Sequence, residues 1–137
     1  MYQDTRAAII AVIDAQADTI QEACRTLRSK LDAFPVALVR PSEAEADYSE
    51  TAARANKETY VFDVRVLYPF VEGQETADLA IEKSLDELIT IFRDRNVLGA
   101  AADWCSPAPS VWGFVETASG TMRCGEIKIR AVKHVRG

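Results

Sequence analysis

Histidine is almost missing from this sequence, with His134 standing alone. Histidine is the side chain that most often serves as a general base near neutral pH. A Ser-His-Asp or Cys-His relay therefore has one candidate, at the frayed end of a strand pattern, where a surface histidine is the simpler reading. Cysteine is scarce too. Cys24, Cys105 and Cys124 are odd in number, far apart and not part of any C-x-x-C pair, which argues against a metal or redox role and leaves reduced, buried small hydrophobes. The glycines build neither a dinucleotide fingerprint nor a P-loop, and no zinc-protease or calcium-loop pattern is present. Carboxylates remain, but loop carboxylates are far more often solvated than tuned, because a raised pKa requires burial. No catalytic residue, cofactor or metal is expected, since ligands would have to come from scattered Asp and Glu with no spacing to support them.

Long apolar runs are also lacking. None approaches the roughly 20 residues of a membrane helix, so no membrane partner is expected. The first stretch, MYQDTRAAIIAVIDAQ, has an acidic residue before a short apolar run and no basic leader or small-residue cleavage pattern, so it does not read as a signal peptide. Synthesis and folding in a cytoplasm is the default. Positive charge is in deficit: 16 Lys and Arg against 21 Asp and Glu give a net charge of -5. Such a chain lacks the broad basic surface that drives phosphate binding.

What is there fits one domain, because 137 residues can bury roughly two-thirds of the surface they expose when unfolded. Residues 6–17 are alanine-rich with Ile9, Ile10 and Ile13 on one side and Asp4 and Thr5 as possible caps, which predicts an amphipathic helix. Its end is ambiguous. The stripe Ile13, Ala17, Ile20, Cys24, Leu27 and Leu31 continues it to about residue 31, whereas the competing reading stops near Ala17 and makes 19–25 a short strand. FPVALVR, residues 34–40, is a β-type run that Pro35 confines to a strand start or an edge and Pro41 closes. An acidic and polar loop at about 42–57 follows, long enough to be functional or mobile.

TYVFDVRVLYPF, residues 59–70, is the clearest strand. Tyr60, Phe62, Val64, Val66 and Tyr68 take one face, while Thr59, Val61, Asp63, Arg65 and Leu67 take the other, which its own domain only partly covers. A helix over 75–96 follows from Ala77, Ile81, Leu85, Leu88 and Phe92, with Glu75 and Asp78 in its first turn and Arg93 and Arg95 in its last. Strands at 101–105, 111–117 and 121–134 complete the chain, with a turn at 118–120 and a possible bulge at Gly125. The expected fold is a single α+β domain, a mostly antiparallel or mixed sheet carrying two main helices. Lys128 and Arg130 share one strand face, a modest basic stripe better suited to a subunit or partner than to nucleic acid.

Several segments, in their order, resemble the tail terminator or tail completion proteins of long-tailed bacteriophages and phage-derived particles. These are FPVALVRPSEAEADY, NKETYVFDVRVLYPF, the capped helix ending near VLGAAADW, then PAPSVWGFVE and GEIKIRAVK. The likeness runs from about residue 7 to 135, on signatures around Phe34 and Pro35, 56–60 and 109–116. It implies a virion structural protein at the tail-neck junction, assembled in the bacterial host cytoplasm. Such a subunit forms a hexameric ring, caps the finished tail tube and joins it to the head connector, with no chemistry performed. Implied partners are further copies of the chain, the tail tube protein and the connector proteins, with DNA only passing through the channel. The resemblance also favours a strand at 19–25.

Candidate interface residues in that setting are Thr59, Val61, Asp63, Arg65, Leu67, Trp112, Lys128 and Arg130. Pro107 and Pro109 stiffen the approach to Trp112, and Gly113 permits close backbone contact. Phe34 and Pro35 are structural. The acidic loop, with Glu43, Glu45, Asp47, Tyr48 and Glu50, could line the lumen and repel DNA phosphates, or order on a partner. Two alternatives stay open: a neck protein on the connector side, and a small α+β ligand-binding module or carboxylate-based enzyme.

Overall fold

A computed structural model of the chain describes residues 2–25, 33–47, 55–117 and 120–136. Its elements run α1 (Tyr2–Gln16), β1 (Glu22–Cys24), β2 (Val36–Asp47), β3 (Ala55–Pro69), α2 (Gln74–Phe92), β4 (Trp104–Thr117) and β5 (Gly120–Arg136). The described strands form one sheet in the order β1-β2-β3-β5-β4. β1 lies parallel to β2, and every other pairing is antiparallel. This is the α+β architecture that the alternation of patterns implies.

Both helices pack on one face of the sheet. Ile9 and Ile13 of α1 join Ala37 and Val39 of β2, Phe62, Val64 and Val66 of β3, and Ile127, Ile129 and Ala131 of β5 in the main core. Ile81, Leu85, Leu88 and Phe92 of α2 complete it, the stripe expected from the sequence. Each such large apolar side chain contributes about 1.5–3 kcal/mol by leaving water. α2 comes unusually close at Gly125, where a Cβ would lie 2.5 Å from Ile81 Cγ2 and 2.9 Å from Leu85 Cδ1. Only a glycine lets the helix seat so low. A second, smaller core on the opposite face gathers Cys24, Val36, Leu38, Leu67, Met122 and Cys124, with Phe34 and Val115 against it.

α1 stops at Gln16, and β1 follows within the expected 19–25 stretch, though only over Glu22–Cys24. Leu27 and Leu31, the far end of the longer helical stripe, lie outside the described residues. α1 begins at Tyr2, so Asp4 and Thr5 sit inside it and do not cap it. α2 ends at Phe92, earlier than expected; Arg93 is its C-cap and Arg95 lies beyond. There Arg95 covers the Trp104 ring at 4.8 Å.

Four expectations about the strands are corrected. Pro41 does not close β2, which runs on to Asp47 opposite β3 with a register shift between Pro41 and Glu43. β1 pairs only with 36–38 of β2, so from Val39 onward that margin has no neighbouring strand among the described residues. A missing N–H is tolerable on such a margin, and the bulge at Ser42 absorbs the misfit. The expected loop at 42–57 therefore shrinks: 42–47 and 55–57 are strand, and 48–54 lie outside the described residues.

β4 likewise runs unbroken from Trp104 to Thr117 through Pro107 and Pro109, where a break was expected. It is the outermost strand, where proline is permitted. The bulge expected at Gly125 lies instead on its partner, between Pro109 and Trp112. β5 keeps its alternation through Gly125, so Met122 and Cys124 belong to the second core and not with Ile127, Ile129 and Ala131.

Candidate functional site

On the helix-free face, the expected second side of β3 resolves into two kinds of residue. Thr59, Val61 and Leu67 are buried within the single chain, at 3%, 9% and 1% exposure. They are not free contact surface, which corrects their place among the interface candidates. Asp63 and Arg65 are partly exposed, and each is met by β5: Lys128 Nζ donates to Asp63 Oδ1 at 2.8 Å, and Arg65 Nε to Glu126 Oε1 at 2.9 Å. Directly opposed pairs on neighbouring strands are the natural place for such bonds, and the register sets Asp63 against Lys128 and Arg65 against Glu126. The bond to Glu126 raises the Arg65 pKa above its ordinary value, against the opposing pull of burial.

Lys128 also donates to the Ser42 hydroxyl at 3.1 Å, which ties the β2 bulge to the middle of the sheet. Arg130 is exposed. The expected basic stripe is thus half occupied: Lys128 serves the sheet, and Arg130 faces solvent.

Glu43, Glu45 and Asp47 hold register positions opposite Val61, Thr59 and Lys57. They stand in a strand, which corrects the loop assignment. Tyr48 and Glu50 lie outside the described residues.

Trp112 emerges where β4 passes α2, at the outer margin of the sheet. The residue is 41% exposed, beside Phe114 at 54% and Val111 at 62%. Arg123 fixes this corner. Its guanidinium carbon lies 5.0 Å from the centre of the Trp112 ring and 4.7 Å from that of Phe114. The same group donates to Asp78 Oδ1 of α2 at 2.7 Å and to the Gly113 carbonyl at 3.1 Å. Phe70 meets Phe114 edge-on at 5.2 Å. Both rings are thus held by a cation that is itself held by an aspartate, and each keeps apolar surface toward solvent. Gly113 supplies the carbonyl that Arg123 uses. Its Cβ position is open, so close approach is not what this glycine provides.

Pro35 is buried, and the Phe34–Pro35 peptide is cis. Phe34 packs edge-on to Tyr68 at 6.4 Å. Together they line a cleft of about 430 Å³ beside Thr19, Leu79 and Lys83.

Leu79, Phe114 and Val111 escaped the sequence reading as surface residues. Leu79 falls between acidic positions of α2, and Phe114 continues the period-two row that starts at Trp112. Those signals were present but mimic a core pattern. His134 is exposed at the end of β5, where its backbone N–H donates to the Asp103 carboxylate. Among the described residues, no three His, Cys, Asp or Glu side chains group as a metal site, and no helix is long and apolar enough to cross a membrane. Compared with models of protein families and with curated proteins, the chain matches none.

Proposed function

We propose that this chain is a structural subunit of a phage-type particle. In this reading it closes into a ring on the end of a tail tube, stops the tube's growth and joins the tail to the head connector. The observation that carries the reading is the aromatic margin of β4. Val111, Trp112 and Phe114 stand exposed on the outermost strand, with half-exposed Leu79 on the neighbouring helix. Exposed apolar groups gathered on an open sheet edge are a surface for another protein, because water is a poor partner for them and the edge still offers backbone hydrogen bonds.

Ring closure and the place on the tube come from the resemblance described above, carried by the order of FPVALVR, NKETYVFDVRVLYPF and PAPSVWGFVE. In a ring each subunit presents two different surfaces to its neighbours, and closure itself limits the number of copies. Glu43, Glu45 and Asp47 would add negative charge that discourages passing DNA from sticking.

Two experiments test this. Native mass measurement and imaging of the purified chain, with and without tube ends, are expected to reveal rings. Particles lacking the chain are expected to carry overlong or headless tails. Tails of normal length attached to heads in its absence would overturn the reading; normal-length but unattached tails would move it to the connector side.

A further inference from the structure

α2 carries an acidic row along the side that borders β4. Glu75, Asp78, Glu82 and Asp86 recur at spacings that bring them to one helical face. Asp78 is neutralised by Arg123. Among the described residues, the carboxylates of Glu75, Glu82 and Asp86 form no ion pair. Apolar surface lies between and beside them: Leu79 at 50% exposure, Trp112 at 41% and Phe114 at 54%. Two clefts follow this side and share Glu82. One, of about 430 Å³, is bounded by Glu75, Asp78 and Leu79. The other, of about 320 Å³, lies between Asp86 and Ile89 of α2 and Pro109 and Trp112 of β4. The outer margin of β4 has no neighbouring strand among the described residues.

We propose that this groove docks an extended segment of a partner protein, one large apolar side chain flanked by lysines or arginines. The inference rests on the reading of the β4 margin as a protein contact and names the chemistry of what it takes. The apolar side chain covers Trp112 and Leu79. Flanking cations answer Glu75, Glu82 and Asp86, and the segment's backbone pairs with the open margin of β4. Arg123 holds both rings in advance, so little ordering is left for the docking step. Charge decides between occupants. Nucleic acid and an anionic bilayer share the sign of the groove and are repelled.

The test uses the full chain and three short fluorescein-labelled peptides, read by anisotropy. The first has a leucine or tryptophan anchor flanked by lysine and arginine; the second keeps the anchor but has glutamate flanks; the third keeps the basic flanks but has glycine at the anchor. Binding of the first is expected at least about tenfold tighter than of the other two, and to weaken as salt rises. Glu82→Lys with Asp86→Lys, both on the exposed helix surface, should abolish that preference while leaving the circular dichroism and melting temperature unchanged. Phe114→Ala should weaken the peptides that carry the apolar anchor and spare the third. Equal binding of basic and acidic peptides, or indifference to the paired lysine substitutions, overturns the proposal. So does a first peptide that fails to bind because the chain pairs with itself through Trp112. Rings that form on tube ends while the first peptide fails would sink this inference and leave the ring reading standing; absent rings with selective peptide binding would do the reverse.

Discussion

Arg65 and Glu126 face one another across the two central strands, the guanidinium Nε 2.9 Å from a carboxylate that is only 6% exposed. Removing the cation takes a charge-assisted bond from a carboxylate held largely out of water. Arg65→Met is expected to cost about 2 kcal/mol, below the roughly 3–5 kcal/mol of a fully buried pair because Arg65 keeps about a third of its side chain in solvent. Glu126→Gln, which keeps an acceptor, should cost about 1 kcal/mol. Urea unfolding of both variants and of the double mutant checks this; the costs should fall short of adding, because the two side chains share one interaction.

Gly125 sets the height of α2 above the sheet. Gly125→Ala places a methyl within 3 Å of both Ile81 and Leu85, and overpacking of this kind costs about 1–3 kcal/mol. Ile81→Ala frees that space at its own cavity cost. Thermal melts of the two single variants and the double should therefore reveal a favourable coupling, and strict additivity would mean that the helix shifts freely instead.

Cys105 links stability to alkaline pH. Burial, with a smaller push from Asp94, raises its thiol from an ordinary 9.0 to about 11. Between those values the unfolded chain releases the proton while the folded chain keeps it, so the native state binds more protons and stability falls as pH rises. The contribution is whole below pH 9 and lost toward pH 11, with an upper bound of about 2.7 kcal/mol for two units. Stability of Cys105→Ala should decline less over that window than stability of the parent chain. Denaturant melts at pH 8, 9, 10 and 11 measure the difference.

Thr19 is fastened to α2. Its backbone N–H and its hydroxyl both donate to Glu87 Oε1, at 2.9 and 2.7 Å, so one carboxylate holds the turn between α1 and β1 against the second helix. Charge-assisted bonds of this kind contribute about 1.5–3 kcal/mol. Glu87→Ala should lose much of that, whereas Glu87→Gln should retain most of it. Faster amide exchange at Thr19 and Ile20 in the alanine variant would locate the loss.

The inward face of β3 and the buried stripe of α2 could be read from residues alone, because a period of two or of 3.6 sustained over many residues has one physical meaning. Boundaries were harder. Pro41, Pro107 and Pro109 look like stops in a one-dimensional reading, and only the order of strands reveals that each lies on a margin where its missing N–H is harmless. Gly125 announced an irregularity, but whether it bends its own strand or admits a helix depends on Ile81 and Leu85, 44 and 40 positions earlier in the chain. At the surface, Trp112 stood out as an isolated indole. Phe114 and Leu79, exposed on the same side, stayed hidden, since a hydrophobic residue bound for solvent carries the same letter as one bound for the core.

Pro107 and Pro109 are two apart, so both leave the same side of β4 without a donor. A strand added there would find an unbroken run only past the bulge, from Trp112 to Thr117. In the reading proposed above the margin would accept one short guest and then terminate, which would keep this edge from stacking into endless fibrils.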